Sequence, residues 1–173
     1  MDLTPAELTL LGLLVEKPRH GYELEEVITA RGMREWTEIG FSSIYYLLTK
    51  LRDRGLIAEA GEQAHGKARK VFGPTPDGVR ACAEAAAAAI ATLRPTTPPV
   101  LIGLASQPAI PPALLHAALA RRAEALAEKI ADVRAAARTA APPFVKAIFD
   151  YSLTQLEAER KWLAAYRGEL DAL

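Results

Sequence analysis

The sequence predicts a mostly α-helical protein with one small β-hairpin, divided into an N-terminal α+β domain and a C-terminal domain built only of helices. Three observations lead there. Residues 1–94 mix helical periodicity with glycine-punctuated, β-like segments, whereas residues 113–173 are dominated by Ala and Leu and nearly lack Gly. Between them, Pro95, Pro98, Pro99, Pro108, Pro111 and Pro112 crowd into residues 95–112, a density that no single long helix crosses. The expected division is therefore a domain over 1–94, a proline-rich connection with a short helix over 95–112, and an antiparallel helical hairpin over 113–173.

In the first domain, Thr4-Pro5-Ala6-Glu7 is a helix start. Thr caps free N–H groups, Pro fits the first turn and Glu three positions on closes a capping box. Leu8, Leu11 and Val15 then share one face, and Pro18 ends the helix. A second helix is expected from about Gly21 to Arg31, with Glu23, Glu25 and Glu26 toward its positive end and Gly32 just past its last turn. Tyr22, Leu24, Val27 and Ile28 form its apolar face. Ser42 or Ser43 caps a third helix, on which Ile44, Leu47, Leu48 and Leu51 fall at i, i+3, i+4 and i+7 as one buried stripe. Gly55 supplies a left-handed turn, and Leu56 folds back on the helix. Ile57 to Glu59 and Ala68 to Phe72 read as two strands around the polar turn Gly61 to Gly66. Thr75-Pro76 caps a fourth helix carrying the alanine run Ala85 to Ala89.

Further on, Pro98-Pro99 starts a short helix through Ala105, and Pro111-Pro112 a long one to about Ala140. Pro142-Pro143 breaks it, and a last helix runs from near Phe144 toward the C-terminus.

Composition narrows the function classes. With 173 residues, 50% hydrophobic and 24% charged, the chain can bury a core, which argues against disorder and against a small disulfide scaffold. The single cysteine, Cys82, forms no internal disulfide, and MDLTPAELTL lacks the basic start and apolar run of a secretory signal, so the expected compartment is the cytoplasm. The apolar stretch Val100 to Ala105 is far shorter than the roughly 18 residues of a membrane span, and no membrane partner is expected. The 21 Lys and Arg balance 21 Asp and Glu. That neutrality conceals an asymmetry: residues 1–41 hold four basic against eight acidic side chains, residues 42–80 seven against four.

Three helices and a hairpin, in that order, make a winged helix-turn-helix. At 100° per residue, the face of helix three opposite its apolar stripe holds Ser42, Tyr45, Tyr46, Thr49 and Asp53, with Lys50 and Arg52 on the flanks. Hydroxyls and exposed rings at these positions suit a helix entering a DNA major groove, although an ordinary polar face with half-buried tyrosines has the same pattern. The hairpin run HGKARK adds Lys67, Arg69 and Lys70, a basic wing suited to phosphates. The candidate DNA-binding residues are Ser42, Ser43, Tyr45, Tyr46, Thr49, Lys50, Lys67, Arg69 and Lys70.

Over residues 3–92 the chain resembles the PadR-like family of winged-helix transcriptional regulators. The resemblance is carried by His20-Gly21-Tyr22-Glu23-Leu24, by Ser43-Ile44-Tyr45 with Leu48, Leu51 and Arg54-Gly55-Leu56-Ile57, and by Thr75-Pro76-Asp77-Gly78. It implies DNA contact by Ser43, Tyr45 and the wing cations, in a repressor acting near its own gene. Two departures bear on that. Phe72-Gly73-Pro74 stands where relatives commonly end the wing strand with tyrosine, a polar residue and Leu. Tyr46 stands where proline is frequent, which suggests an altered site preference. The competing reading is a winged-helix protein–protein interaction module without specific DNA binding.

The second domain resembles the family's dimerisation helices in length, hairpin layout and a tryptophan in the final helix. Leu119, Leu126 and Val133 recur every seven residues, with Ala123, Ile130 and Ala137 four positions after each. The last helix adds Phe144, Ile148, Tyr151, Leu156, Trp162, Leu163, Tyr166 and Leu170, more apolar surface than one hairpin neighbour covers. A homodimer is therefore expected, with Leu119, Leu126, Ile130, Val133, Trp162 and Tyr166 as dimerisation residues and an inverted-repeat operator in double-stranded DNA. The resemblance further implies that a small aromatic effector can stack on Trp162, for which a plain interface anchor is the simpler account.

No cofactor, metal site or enzyme activity is expected. His20, His65 and His116 lie apart without ligand spacing, and no nucleophile motif, phosphate loop or carboxylate pair occurs. His20 reads as part of a helix-start turn, His65 as a solvated wing-tip residue and Trp36 as a loop anchor.

Overall fold

The computed structural model describes residues 2–35, 37, 39–40, 43–60, 70–93, 97–138 and 143–172. Ser42, His65, Lys67 and Arg69 lie outside them, as does Trp36. The chain forms two compact units, Met1–Pro95 and Thr96–Leu173.

The first unit runs α1 (Pro5–Glu16), β1 (Arg19–His20), α2 (Gly21–Ala30), a 3-10 turn (Met33–Glu35), α3 (Ser43–Asp53), β2 (Ile57–Glu59), β3 (Val71–Pro74) and α4 (Pro76–Ala91). The α3 stripe Ile44, Leu47, Leu48 and Leu51 is buried as its spacing predicts, and it shares one core with Leu24 and Ile28 of α2. On α1 the buried face differs from the predicted one. Leu10, Leu11, Leu13 and Leu14 enter the core, while Val15 is exposed and Leu8 only half-buried. Anchoring Glu7 inside the unit turns this helix so that the leucine cluster, not the Leu8–Val15 line, faces α3.

Two further corrections concern the sheet. Strand β3 extends to Pro74, past the predicted end at Phe72. A third strand, β1, has no counterpart in the sequence reading. It pairs antiparallel with β3, Arg19 opposite Phe72 and His20 opposite Val71, while β2 pairs on the other side, Ile57 opposite Pro74 and Glu59 opposite Phe72, giving the order β1-β3-β2. Two residues are too few to show alternation, which is why the pattern was silent.

Glu7 is 1% exposed. Its Oε2 accepts the Thr4 N–H at 2.7 Å, and the Thr4 hydroxyl oxygen accepts the Glu7 N–H at 3.2 Å, completing the predicted capping box. Oε1 meets Arg54 Nη1 at 2.9 Å and Lys50 Nζ at 3.0 Å, so one carboxylate joins the start of α1 to the end of α3.

Beyond α3, Gly55 takes φ +70° and donates to the Arg52 carbonyl at 2.8 Å, while the Leu56 N–H reaches the Leu51 carbonyl at 2.9 Å, a Schellman-type stop. Thr75 caps α4, its oxygen accepting the Gly78 N–H at 3.0 Å and its hydroxyl donating to the Gly55 carbonyl at 2.7 Å. A Cβ on Gly78 would lie 1.9 Å from the Leu56 carbonyl oxygen, so only glycine lets α4 sit this close to the end of α3.

In the second unit, α5 (Pro99–Ala105) precedes α6 (Pro112–Ala137) and α7 (Pro143–Asp171), which pack as a hairpin. Leu115, Leu119 and Leu126 of α6 close on Leu163 of α7, and Arg134 pairs with Glu157 at 2.5 Å.

The Glu7 network makes the stability of the first unit depend on pH. Burial pushes the carboxyl pKa up, but the Thr4 N–H, Lys50, the Thr4 side chain and Arg54 together outweigh burial and bring it from 4.5 to about 2. Stabilisation is thus full above the unfolded value and is lost as pH falls through about 2, a span worth on the order of 3 kcal/mol. Hydrogen exchange of α1 amides should show wild type losing its advantage over Glu7→Gln between pH 5 and pH 2. Parallel curves for the two proteins would refute the linkage.

Candidate nucleic-acid interface

Because the α3 stripe is buried, the opposite side of the helix is presented outward. Tyr45 and Tyr46 are 62% and 67% exposed, and Thr49 is exposed beside them. The Thr49 hydroxyl donates to the Tyr45 carbonyl one turn back at 3.0 Å, which leaves its lone pairs facing solvent. Ser43, the first residue of α3, is half-buried and donates through its hydroxyl to the Gly40 carbonyl. Arg52 and Asp53 are exposed and paired with each other at 3.0 Å.

Lys50, on the flank of the outer face, directs its ammonium to Glu7 at the start of α1, while its side chain remains 41% exposed. An ammonium already paired with a buried carboxylate can meet a phosphate only by sharing that partner.

On the wing, Lys70 pairs across the hairpin with Glu59 at 2.5 Å. Both side chains are exposed, so the pair is weak and exchangeable. The sequence reading missed what adjoins Lys70 and Tyr45. An open cleft of about 590 Å³ is lined by His20, Gly21, Tyr22, Tyr45, Lys70 and Phe72, bringing together the start of α2, the outer face of α3 and β3. His20 and Tyr22 stack at 5.5 Å with planes 13° apart, and the His20 N–H donates to Glu23 at 2.6 Å, which fixes the entry to α2. The motif His20-Gly21-Tyr22 was legible in the sequence, but its proximity to Tyr45 follows only from β1 pairing with β3.

In the second unit, three of the predicted dimerisation residues are spent within the protomer. Leu119 and Leu126 are buried against α7, and Ile130 is 2% exposed. Val133 is half-buried. Trp162 stacks on Tyr166 at 5.5 Å with planes 10° apart and remains 39% exposed. Among the described residues of this unit, the large apolar side chains left exposed are Leu101 and Ile102 of α5, Leu114 of α6, and Phe144, Ile148, Tyr151 and Trp162 of α7. Among the described residues, no three His, Cys, Asp or Glu side chains gather as a metal site, and no helix is long and apolar enough to cross a membrane.

Residues 10–84 match the family model of the transcriptional regulator PadR-like family. Comparison with curated proteins gives no match. The fold is similar to that of Bacillus subtilis PadR in complex with operator DNA, at 15% identity and a TM-score of 0.76, over 98% of this chain and 99% of that one. It is also similar to the same protein in complex with p-coumaric acid, at 16% identity and a TM-score of 0.79, over 95% and 98% of the two chains. A PadR-like transcriptional regulator from Bacillus cereus has 18% identity and a TM-score of 0.71, over 96% and 98%. Taken with the element order, the buried α3 stripe and the three-stranded sheet, the match over residues 10–84 makes the winged-helix unit of this chain similar to the transcriptional regulator PadR-like family in sequence and to the PadR structures in fold.

Proposed function

We propose that this chain is a sequence-specific DNA-binding repressor, without enzymatic activity, that acts as a homodimer on an inverted-repeat operator. The observation that carries the reading is the outer face of α3: two tyrosines more than half exposed beside the Thr49 hydroxyl, with Lys70, just before the wing strand β3, on the same cleft as Tyr45. Residues that read base edges specify, and residues that meet phosphates position. Tyr45, Tyr46, Thr49, Ser42 and Ser43 take the first role in this reading, and Lys67, Arg69 and Lys70 the second. The match of residues 10–84 to the PadR-like family model and the operator complex of Bacillus subtilis PadR support it.

The two roles separate on mutation. Alanine at Lys67, Arg69 or Lys70 should weaken binding to specific and scrambled duplexes alike and flatten the plot of log affinity against log salt by roughly 0.9 per lost phosphate contact. Alanine at Thr49 or Tyr46 should reduce discrimination and leave the salt slope in place. Slopes unchanged in all three wing variants would remove the wing from the interface, and equal, weak binding to every duplex would favour a protein-interaction module.

Dimerisation is supported by the apolar side chains that the α6–α7 hairpin leaves open, Phe144, Ile148, Tyr151 and Trp162 among them. Two identical heads should prefer half-sites about 34–36 Å apart, or a multiple of that. Sedimentation should give a dimer at micromolar concentration, and moving one half-site by five base pairs should abolish paired binding. A monomer, or full affinity for a single half-site, would contradict this.

A flat aromatic effector is supported by the exposed side of the Trp162–Tyr166 stack and, by analogy, by the p-coumaric acid complex of Bacillus subtilis PadR. Relief of repression requires such a ligand to bind the DNA-free dimer more tightly than the DNA-bound one. In a Trp36→Phe protein, Trp162 fluorescence should be quenched by planar aromatic compounds at concentrations that also release DNA. Quenching with DNA affinity unchanged would leave a pocket without a regulatory role.

A further inference from the structure

Tyr45 is exposed on one side only. A Cβ built on Gly21 would lie 2.7 Å from Tyr45 Cε1, 3.1 Å from Cζ and 3.4 Å from Cδ1. The ring therefore rests directly on the backbone at the start of α2, where Gly21 is buried. Backbone conformation does not call for glycine at this position. Among the described residues the positive-φ glycines are Gly32 and Gly55, and Gly21 is the first residue of a regular helix, where alanine is intrinsically favoured. Its missing side chain is accounted for by the tyrosine ring above it.

The surroundings of that seat are ordered. His20 and Tyr22, on either side of Gly21 in sequence, stack on each other and line the same cleft as Tyr45, with Phe72 and Lys70 completing it. A tyrosine on a helix has two accessible χ1 wells, and a seat that accepts the ring in one of them fixes where the phenol hydroxyl projects. Contacts made by a side chain already held in place lose less entropy on binding.

We propose that Gly21 is a positioning residue for the DNA-reading face: by carrying no side chain it seats the Tyr45 ring against α2 and so sets the direction of its hydroxyl. This rests on the reading above, in which Tyr45 contacts DNA. An alanine at position 21 would meet the far end of a flexible side chain and not backbone, so the ring gives way while α2 and α3 stay packed. Gly21 then influences DNA choice without touching DNA.

The test is a double-mutant cycle on the full chain: wild type, Gly21→Ala, Tyr45→Ala and the double variant. Each is measured against a duplex recovered from a randomised pool by the wild type, and against a scrambled duplex of equal length and composition. Tyr45→Ala is expected to lower the ratio of the two affinities about tenfold. Gly21→Ala should lower it toward the same level, and should have no further effect once Tyr45 is alanine. If Tyr45→Ala lowers the ratio and Gly21→Ala does not, the positioning role is overturned and the DNA reading stands. Equal, additive losses from Gly21→Ala in both backgrounds would also overturn it, since the glycine would then act by itself. A ratio indifferent to Tyr45→Ala would sink the DNA role of Tyr45 and the inference with it. Should Gly21→Ala fail to fold, the wild-type Gly21 Hα resonances decide: ring-current shifts abolished by Tyr45→Ala support the seat, and ordinary shifts in both proteins refute it.

Discussion

The first unit depends on one buried carboxylate. Glu7 is bound by the Thr4 N–H on one oxygen and by Arg54 and Lys50 on the other, so a single side chain starts α1 and holds the far end of α3. Burying a charge is costly unless it is paired and hydrogen-bonded, and here both oxygens are occupied. The consequence extends beyond stability. Orientation of α3 about its own axis decides which residues face outward, and the Glu7 clamp together with the Ile44–Leu51 stripe leaves little freedom in that orientation. Tyr45 and Tyr46 are exposed because the opposite stripe, Ile44 to Leu51, is buried.

The same clamp ends where the wing begins. Gly55 reverses the chain immediately after Arg54, Leu56 folds back on Leu51, and Thr75 ties the start of α4 to the Gly55 carbonyl. With Gly78 seated against the Leu56 carbonyl, both ends of the hairpin are fixed to the C-terminal end of α3. The wing strands therefore inherit the orientation of α3. Strand β1 adds a second restraint, because its pairing with β3 draws the start of α2 alongside Lys70.

Much of this was legible in the sequence where a local chemical rule applied. The Thr4 capping box, the Ile44-Leu47-Leu48-Leu51 spacing, the Gly55 stop and the Thr75-Pro76 start each depend on neighbours within a few residues, and each appears in the structure. What escaped depends on partners remote in the chain. The two residues of β1 acquire strand geometry only from β3, and the Lys50 ammonium finds its partner in a glutamate on another helix. Leu119, Leu126 and Ile130 followed their periodicity correctly into a buried stripe, but periodicity cannot tell whether the covering helix belongs to the same protomer. Tyr45 could be assigned to the outer face from its angle, whereas its contact with Gly21 required the packing of α2 on α3.

Formal charge and usable charge consequently differ in the basic half of the first unit. Residues 42–80 hold seven Lys and Arg. Of these, Lys50 and Arg54 neutralise Glu7, while Arg52 and Arg80 are paired with Asp53 and Asp77. Lys70 is also paired, but with an exposed glutamate on the neighbouring strand, and an exposed pair exchanges partners at little cost. A phosphate approaching this unit therefore meets readily released positive charge in the exposed pairs, Lys70 beside the wing strand and Arg52 at the end of α3, rather than at the cations held by Glu7. Toward the middle of α3 the groups that face outward are the Thr49 hydroxyl and the Tyr45 and Tyr46 rings, which are suited to shape and hydrogen-bond pattern. In the proposed reading, the division between positioning and reading thus follows from which cations Glu7 has already claimed, and the neutral, geometrically exacting groups stand on the element that the Glu7 clamp and the Ile44–Leu51 stripe hold in orientation.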